Sequence, residues 1–157
     1  MKIVEIKVLR GPNYWSVRRT KLIQMKLDLE DMEQRPTNQI EGFRQRLEAM
    51  FPTMIEHRCS VGTRGGFFER VDEGTWMGHV IEHITLELQT MAGMDCGFGR
   101  TRGTGNKEGE YFVVFSYMEE DAGVYAAKAS VRIAESLIKG EPYPLEEDIQ
   151  RLREIRE

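Results

Sequence analysis

The sequence predicts an α+β fold, a mostly antiparallel sheet of about four strands with helices packed on one face. Three features predict it. Residues 2–9 and 21–29 alternate apolar and polar side chains with the period of a half-buried strand. Residues 72–91 and 119–138 instead carry apolar or small residues at helical spacing. The resulting order, β-β-α-β-α-β-α-α, suggests one sheet with helices layered on it.

Taken in order, the first strand sets Val4, Ile6 and Val8 on one face and is broken by Gly11-Pro12-Asn13. The second turns Ile23, Met25, Leu27 and Leu29 inward. Pro36-Thr37-Asn38 supplies a break and a cap for a helix over 39–50, which Pro52 stops. Residues 54–59 are expected to form a short strand, and 60–68, with Gly62, Gly65 and Gly66 around Arg64, a loop. Asp72-Glu73-Gly74-Thr75 opens a helix that runs to Met91 and ends at Gly93. Residues 97–109 are expected to be a second loop, rich in glycine and holding Arg100, Arg102 and Lys107. Residues 111–118 are the most apolar strand segment. The helix over 119–138 is lined with Ala122, Ala126, Ala127, Ala129 and Ala134, and Gly140 closes it. A charged final helix, 145–157, ends without a cap, which reads as a chain cut inside a connecting helix as much as a natural end.

The 157 residues are expected to form a single domain with enough chain for one sizeable core. With 22 basic against 26 acidic residues and a net charge of −4, composition gives no case for nucleic acid. The apolar runs fall short of the roughly 20 residues that a membrane span needs. Cys59 and Cys96 form neither a CxxC pair nor a disulfide framework, which suits a reducing compartment and a cytoplasmic setting.

Two of the three histidines stand in one window, His79-Val80-Ile81-Glu82-His83. On a helix these imidazoles lie about 40° apart and one turn apart, so both reach one ion. Glu82 projects to the other side of His79, within reach of a water at that ion. The apolar stripe Met77, Val80, Ile81, Ile84, Leu88 and Met91 faces away from His79, and no Lys or Arg occurs from Val71 to Gly99. Imidazole and carboxylate suit Zn2+, which in a catalytic site keeps a position for water. His79 and His83 are therefore the expected metal ligands and Glu82 the expected base. A third ligand is needed: Glu120 is preferred, with Glu119, Glu135 and Glu87 as alternatives. His57 is read as a strand histidine and not a ligand. The competing reading is a helix whose histidines bond locally.

Arg64 and Arg70 flank the glycine loop before this helix, and Arg100 and Arg102 sit after it. Guanidinium groups of this kind match carboxylates or phosphates, and no nucleotide-binding fingerprint accompanies them. The pair Tyr14-Trp15 beside Arg10, Arg18 and Arg19 suits stacking on a guanidinium, or a plug over one end of the sheet.

Five segments, Arg10-Gly11-Pro12-Asn13-Tyr14-Trp15, Glu56-His57-Arg58-Cys59-Ser60, Arg64-Gly65-Gly66-Phe67, Gly78 to His83 and Gly97-Phe98-Gly99-Arg100-Thr101-Arg102, together resemble the N-terminal domain of the cyanophycin synthetases. The resemblance spans essentially the whole chain. It implies a domain whose full enzyme adds two ATP-dependent ligase modules, absent here, that build a poly-aspartate backbone with arginine on each side chain. It also implies a polymer-holding role and, in members with His79, Glu82 and His83 intact, a metallopeptidase-like site that cuts polymer into primers. Glu120 follows His83 more closely than the third ligand does in inverted-motif peptidases. Arg64, Arg70, Arg100 and Arg102 become the expected contacts to polymer carboxylates, and backbone amides the expected bonds cut. The expected partners are the cyanophycin polymer, the ligase modules and, in the full-length enzyme, further copies of the chain. The alternative is a non-catalytic polymer tether.

Overall fold

The computed structural model describes residues 1–58 and 62–157. Four strands, β1 (Lys2–Arg10), β2 (Lys21–Asp28), β3 (Gly99–Gly103) and β4 (Glu110–Ser116), form one sheet in the order β1-β2-β4-β3. Every neighbouring pair is antiparallel. Five α-helices accompany them: α1 (Phe43–Met50), α2 (Gly66–Glu73), α3 (Met77–Met91), α4 (Glu120–Lys139) and α5 (Leu145–Arg156). The α+β class and the four-stranded antiparallel sheet follow the expectation.

Strand alternation decides which face the helices cover. On β2, Ile23, Met25 and Leu27 are fully buried beneath them, as the alternation predicts, joined by Val113 and Phe115 of β4. The other face has its own small cluster of Leu22, Val114 and Phe98, over which Trp15 folds. Trp15 donates its indole N–H to Gln24 Oε1 at 2.8 Å and meets Phe112 edge-on. The 11–20 segment is thus the plug over the sheet, fixed by Asn13 Oδ1 accepting from the backbone N–H groups of Trp15 and Ser16. α3 packs on β3 and β4 and α4 on β1 and β2, and the two helices meet where Ala122, Ala126, Ala127, Ala129 and Ala134 of α4 are buried and leave room for close approach.

Five local expectations need correction. A register shift between Ile3 and Glu5 reassigns the faces of β1, so Val4 is exposed while Ile3, Ile6 and Val8 pack against the core. Residues 54–59 were expected as a strand; Pro52 instead starts a 3-10 turn, Pro52–Glu56, and Cys59 lies outside the described residues. The single helix expected from 72 is two, because Gly74 (φ 110°) closes α2 and α3 restarts at Met77. α2 begins at Gly66, inside the stretch expected as a loop, of which residues 60 and 61 lie outside the described residues. The third strand is β3, within a segment expected as a glycine loop; β4 supplies the ladder that Gly99 and Gly103 alone do not announce. Among the described residues, no helix is long and apolar enough to cross a membrane.

Candidate functional site

α3 is the spine of the site. His79, His83 and Glu87 recur every fourth residue along one face, with Glu82 beside them. Three other segments close around that face. β3 brings Gly99 and Thr101, α2 brings Phe67 and Arg70, and the 3-10 turn with its exit brings Thr53 and His57. The backbone of His57 is pinned on both sides: its N–H donates to Met54 O (2.9 Å) and its carbonyl accepts from Phe67 N–H (3.1 Å). Phe67, itself fully buried, stacks on His83 with centroids 4.0 Å apart and planes 17° from parallel. A flat ring against a flat ring fixes the plane of His83 and excludes water from it.

The polar atoms form a continuous chain. Glu87 Oε1 accepts from Thr53 Oγ1, and Glu87 Oε2 lies 2.7 Å from His57 Nε2. His57 Nδ1 lies 2.8 Å from His83 Nδ1. His83 Nε2 lies 3.1 Å from His79 Nε2, and His79 Nδ1 lies 3.0 Å from Thr75 Oγ1. Glu82 stands at the side: Oε1 accepts from Thr101 Oγ1 at 2.7 Å and Oε2 is 3.7 Å from His83 Nε2. A Cβ on Gly99 would sit 2.6 Å from Glu82 Oε2, so the glycine is what lets β3 close over the carboxylate.

Burial sets the charge states. Glu82 is 7% exposed; desolvation pushes its carboxyl up to about 7, against the Thr101 hydrogen bond and the charge of Arg100. Desolvation, with Arg70 adding, lowers His79 to about 4. His83 is held well below the ordinary imidazole range by burial and then by the neighbouring histidines. At neutral pH both are neutral and present lone pairs. Glu87 is the exception: burial works to raise it, yet the hydrogen bonds from His57 and Thr53 hold it below the ordinary carboxylate range. One helix face therefore carries one carboxylate poised to exchange a proton near neutrality and one held ionised.

The group opens into a cleft of about 940 Å³. Arg19, Arg58, Arg70 and Arg100 line it, against Glu56 and Glu82 as the acidic residues. Phe98 sits between two of these guanidiniums, Arg19 at 4.6 Å and Arg100 at 4.7 Å from its ring centre. In a chain of net charge −4, this cleft is locally cationic.

The structure divides the residues singled out from sequence. His79, Glu82 and His83 come together, and Arg70 and Arg100 line their cleft. Arg64 pairs with Glu56 on the rim (2.9 Å). Arg102 lies elsewhere, over the rings of Tyr14 and Trp15 at 5.1 and 5.3 Å. Glu120 is not brought to the histidines: α4 begins beside the end of β1, so Glu120 accepts from Arg10 Nη2 (2.6 Å) and, with Glu119, lines a second cleft of about 380 Å³. Glu135 is half-buried on α4 and lines neither cleft. Sequence reasoning missed His57, Arg19 and Arg58, and weighed Glu87 only as a ligand. Glu87 was findable, since it continues the fourfold spacing of His79 and His83.

For a metal, the fit is partial. Zn–N bonds of about 2.0–2.1 Å at tetrahedral angles separate two nitrogens by about 3.3 Å. His79 Nε2 and His83 Nε2, 3.1 Å apart, match two such vertices. Among the described residues, no set of three His, Cys, Asp or Glu side chains is gathered to cage a cation.

Comparison with known proteins places the chain. Residues 24–139 match the cyanophycin synthase-like N-terminal domain. Over 157 residues the chain is 54% identical to the cyanophycin synthetase of Geminocystis herdmanii and 52% identical to that of Crocosphaera subtropica. It is 52% identical over 158 residues to the cyanophycin synthetase of a Synechocystis species. These alignments take in 100%, 100% and 99% of the chain, and the chain spans 18% of each relative's length. The chain belongs to the cyanophycin synthase-like N-terminal domain family.

Proposed function

We propose that this domain serves cyanophycin synthesis by binding the polymer in the arginine-lined cleft and hydrolysing its backbone amides into short primers. The observation that carries this reading is the pairing of His79 Nε2 and His83 Nε2, 3.1 Å apart, beside the buried carboxyl of Glu82. His79 and His83 would hold Zn2+, which when bound supplies Lewis-acid polarisation and a water of lowered pKa. Glu120 is dropped as third ligand because the start of α4 sets it in the second cleft, with Arg10 and Glu119, away from the histidines. Glu82, with a pKa of about 7, takes the proton of the attacking water and returns it to the departing amide nitrogen. Each polymer unit offers a carboxylate, and Arg70 and Arg100 flank the histidines to receive it. Among the described residues Arg70 Nε is buried without a hydrogen-bond partner, which suits an anion-binding role. The relatives are named as synthetases, so the domain is proposed to work beside ligase modules and in an assembly of several copies.

A second reading, a polymer tether without chemistry, is favoured by the guanidinium of Arg102 displayed over the exposed ring of Tyr14. Polymer length decides between them. The chain is incubated with cyanophycin, with and without chelator, beside Glu82→Gln. Shortening that stops with chelator and falls about 10²–10⁴-fold in the variant supports hydrolysis. Unshortened polymer that is still retained leaves only the tether.

A further inference from the structure

The hydrolytic reading uses His79, Glu82 and His83 and leaves Glu87, His57 and Thr53 without a part. Their geometry assigns one. An ionised carboxylate only accepts, so the nitrogen 2.7 Å from Glu87 Oε2, His57 Nε2, must carry a proton. With that proton on Nε2, the remaining nitrogen, Nδ1, is the one that can accept. It faces His83 Nδ1 at 2.8 Å, a hydrogen bond only if His83 carries its proton there. The Nε2 lone pair of His83 is thereby turned to His79 Nε2 and the Glu82 side of the cleft. Each link is held from outside. Thr53 donates to the second oxygen of Glu87, the backbone of His57 is bonded on both sides, and Phe67 fixes the plane of His83. A carboxylate and a histidine aligned behind another histidine are the arrangement that fixes the tautomer and the basicity of a metal-binding or proton-transferring imidazole.

We propose that Glu87 and His57 are positioning residues of this site: they set His83 in its Nδ1–H tautomer and present its Nε2 as the working atom. The proposal deepens the hydrolytic reading and takes from it the idea that His83 Nε2 binds zinc. The tautomer itself does not depend on metal, which lets the two be judged apart.

The test is made on the 157-residue chain with two readouts. The first is the ¹⁵N chemical-shift pattern of the histidine rings in the metal-free chain. It is expected to show His83 protonated on Nδ1 in the wild type, and to lose that pattern in Glu87→Gln and His57→Phe. The second is zinc affinity by competition with a chromophoric chelator, expected to weaken about 10–100-fold in both variants while far-UV circular dichroism stays unchanged. Thr53→Val, which removes one hydrogen bond to Glu87, is expected to lie between them and the wild type; it serves if either buried variant fails to fold. A wild-type His83 protonated on Nε2 would overturn the proposal, and so would folded variants with unaltered ring shifts. A wild type with the expected tautomer but no zinc binding would remove the metal and keep the positioning assignment.

Discussion

The histidine cleft and the cleft at the start of α4 both hold glutamates from helices, and they hold them in opposite conditions. Glu82 and Glu87 are 7% and 4% exposed; each faces a histidine and accepts from a threonine, Thr101 for Glu82 and Thr53 for Glu87. The Glu120 side chain is 40% exposed and meets Arg10, itself 68% exposed, in an ion pair surrounded by water. Burial pushes Glu82 to about 7 and makes each neighbour decisive for Glu87. The exposed pair is screened, and a side chain there is free to change partners. Of the two clefts, the first is the one that holds a carboxyl shifted to near neutrality.

The largest break in this contrast comes from opening the histidine cleft to water. Phe67 is fully buried and covers His83 on one side. Phe67→Ala is expected to lower unfolding stability by about 3–5 kcal/mol, through lost burial and the cavity left behind. Denaturant unfolding at fixed pH measures it. A loss below about 1 kcal/mol would mean that the ring is not packed as described.

Next comes Glu82→Gln, with chelator present throughout. The wild-type carboxyl has a folded pKa of about 7 against an ordinary value of 4.5, so between these pH values the folded state binds the proton more tightly than the unfolded one. Stability then falls as pH rises from 4.5 to 7 and is level above. The difference corresponds to roughly 3 kcal/mol. Glutamine keeps the oxygen that Thr101 donates to and carries no charge. The variant is expected to match the wild type at pH 4 and to exceed it at pH 8, by up to that amount. A variant no more stable at pH 8 would place Glu82 in water.

A smaller effect separates two glycines of one strand. A Cβ at Gly99 would stand 2.6 Å from Glu82 Oε2, whereas one at Gly103 meets nothing within 4 Å. Gly99→Ala is expected to cost about 1–3 kcal/mol and to displace Glu82, while Gly103→Ala stays within about 0.5 kcal/mol. Thermal unfolding of the two variants side by side gives the comparison, and equal shifts would contradict the closure of β3 over the carboxylate.

These residues also mark how far the sequence can be read. Ile23, Met25 and Leu27 announced their face because strand alternation repeats over the whole of β2. His79, Glu82 and His83 announced their cluster because helical spacing is local, and Glu87 lies on the same face. His57 did not, since its place beside His83 depends on how the Pro52–Glu56 turn returns to α3, a contact between residues 26 positions apart. β3 was hidden for a related reason. Its residues, Gly-Arg-Thr-Arg-Gly, have no strand pattern of their own, and β4 imposes the pairing. Glu120 was misplaced because its distance from the histidines is set by the packing of α4, which spacing along the chain does not encode.

The smallest effect belongs to that residue and tests the contrast from its other side. Arg10 and Glu120 approach to 2.6 Å, and the bond is short enough to suggest importance by distance alone. Both side chains are largely in water, so attraction is offset by lost hydration and by the entropy of holding two long side chains. Glu120→Gln is therefore expected to change stability by no more than about 1 kcal/mol, with the difference shrinking as salt is raised. Polymer shortening and zinc affinity should be the same as in the wild type. If zinc affinity instead falls tenfold or more, Glu120 reaches the histidines after all, and the separation of the two clefts fails.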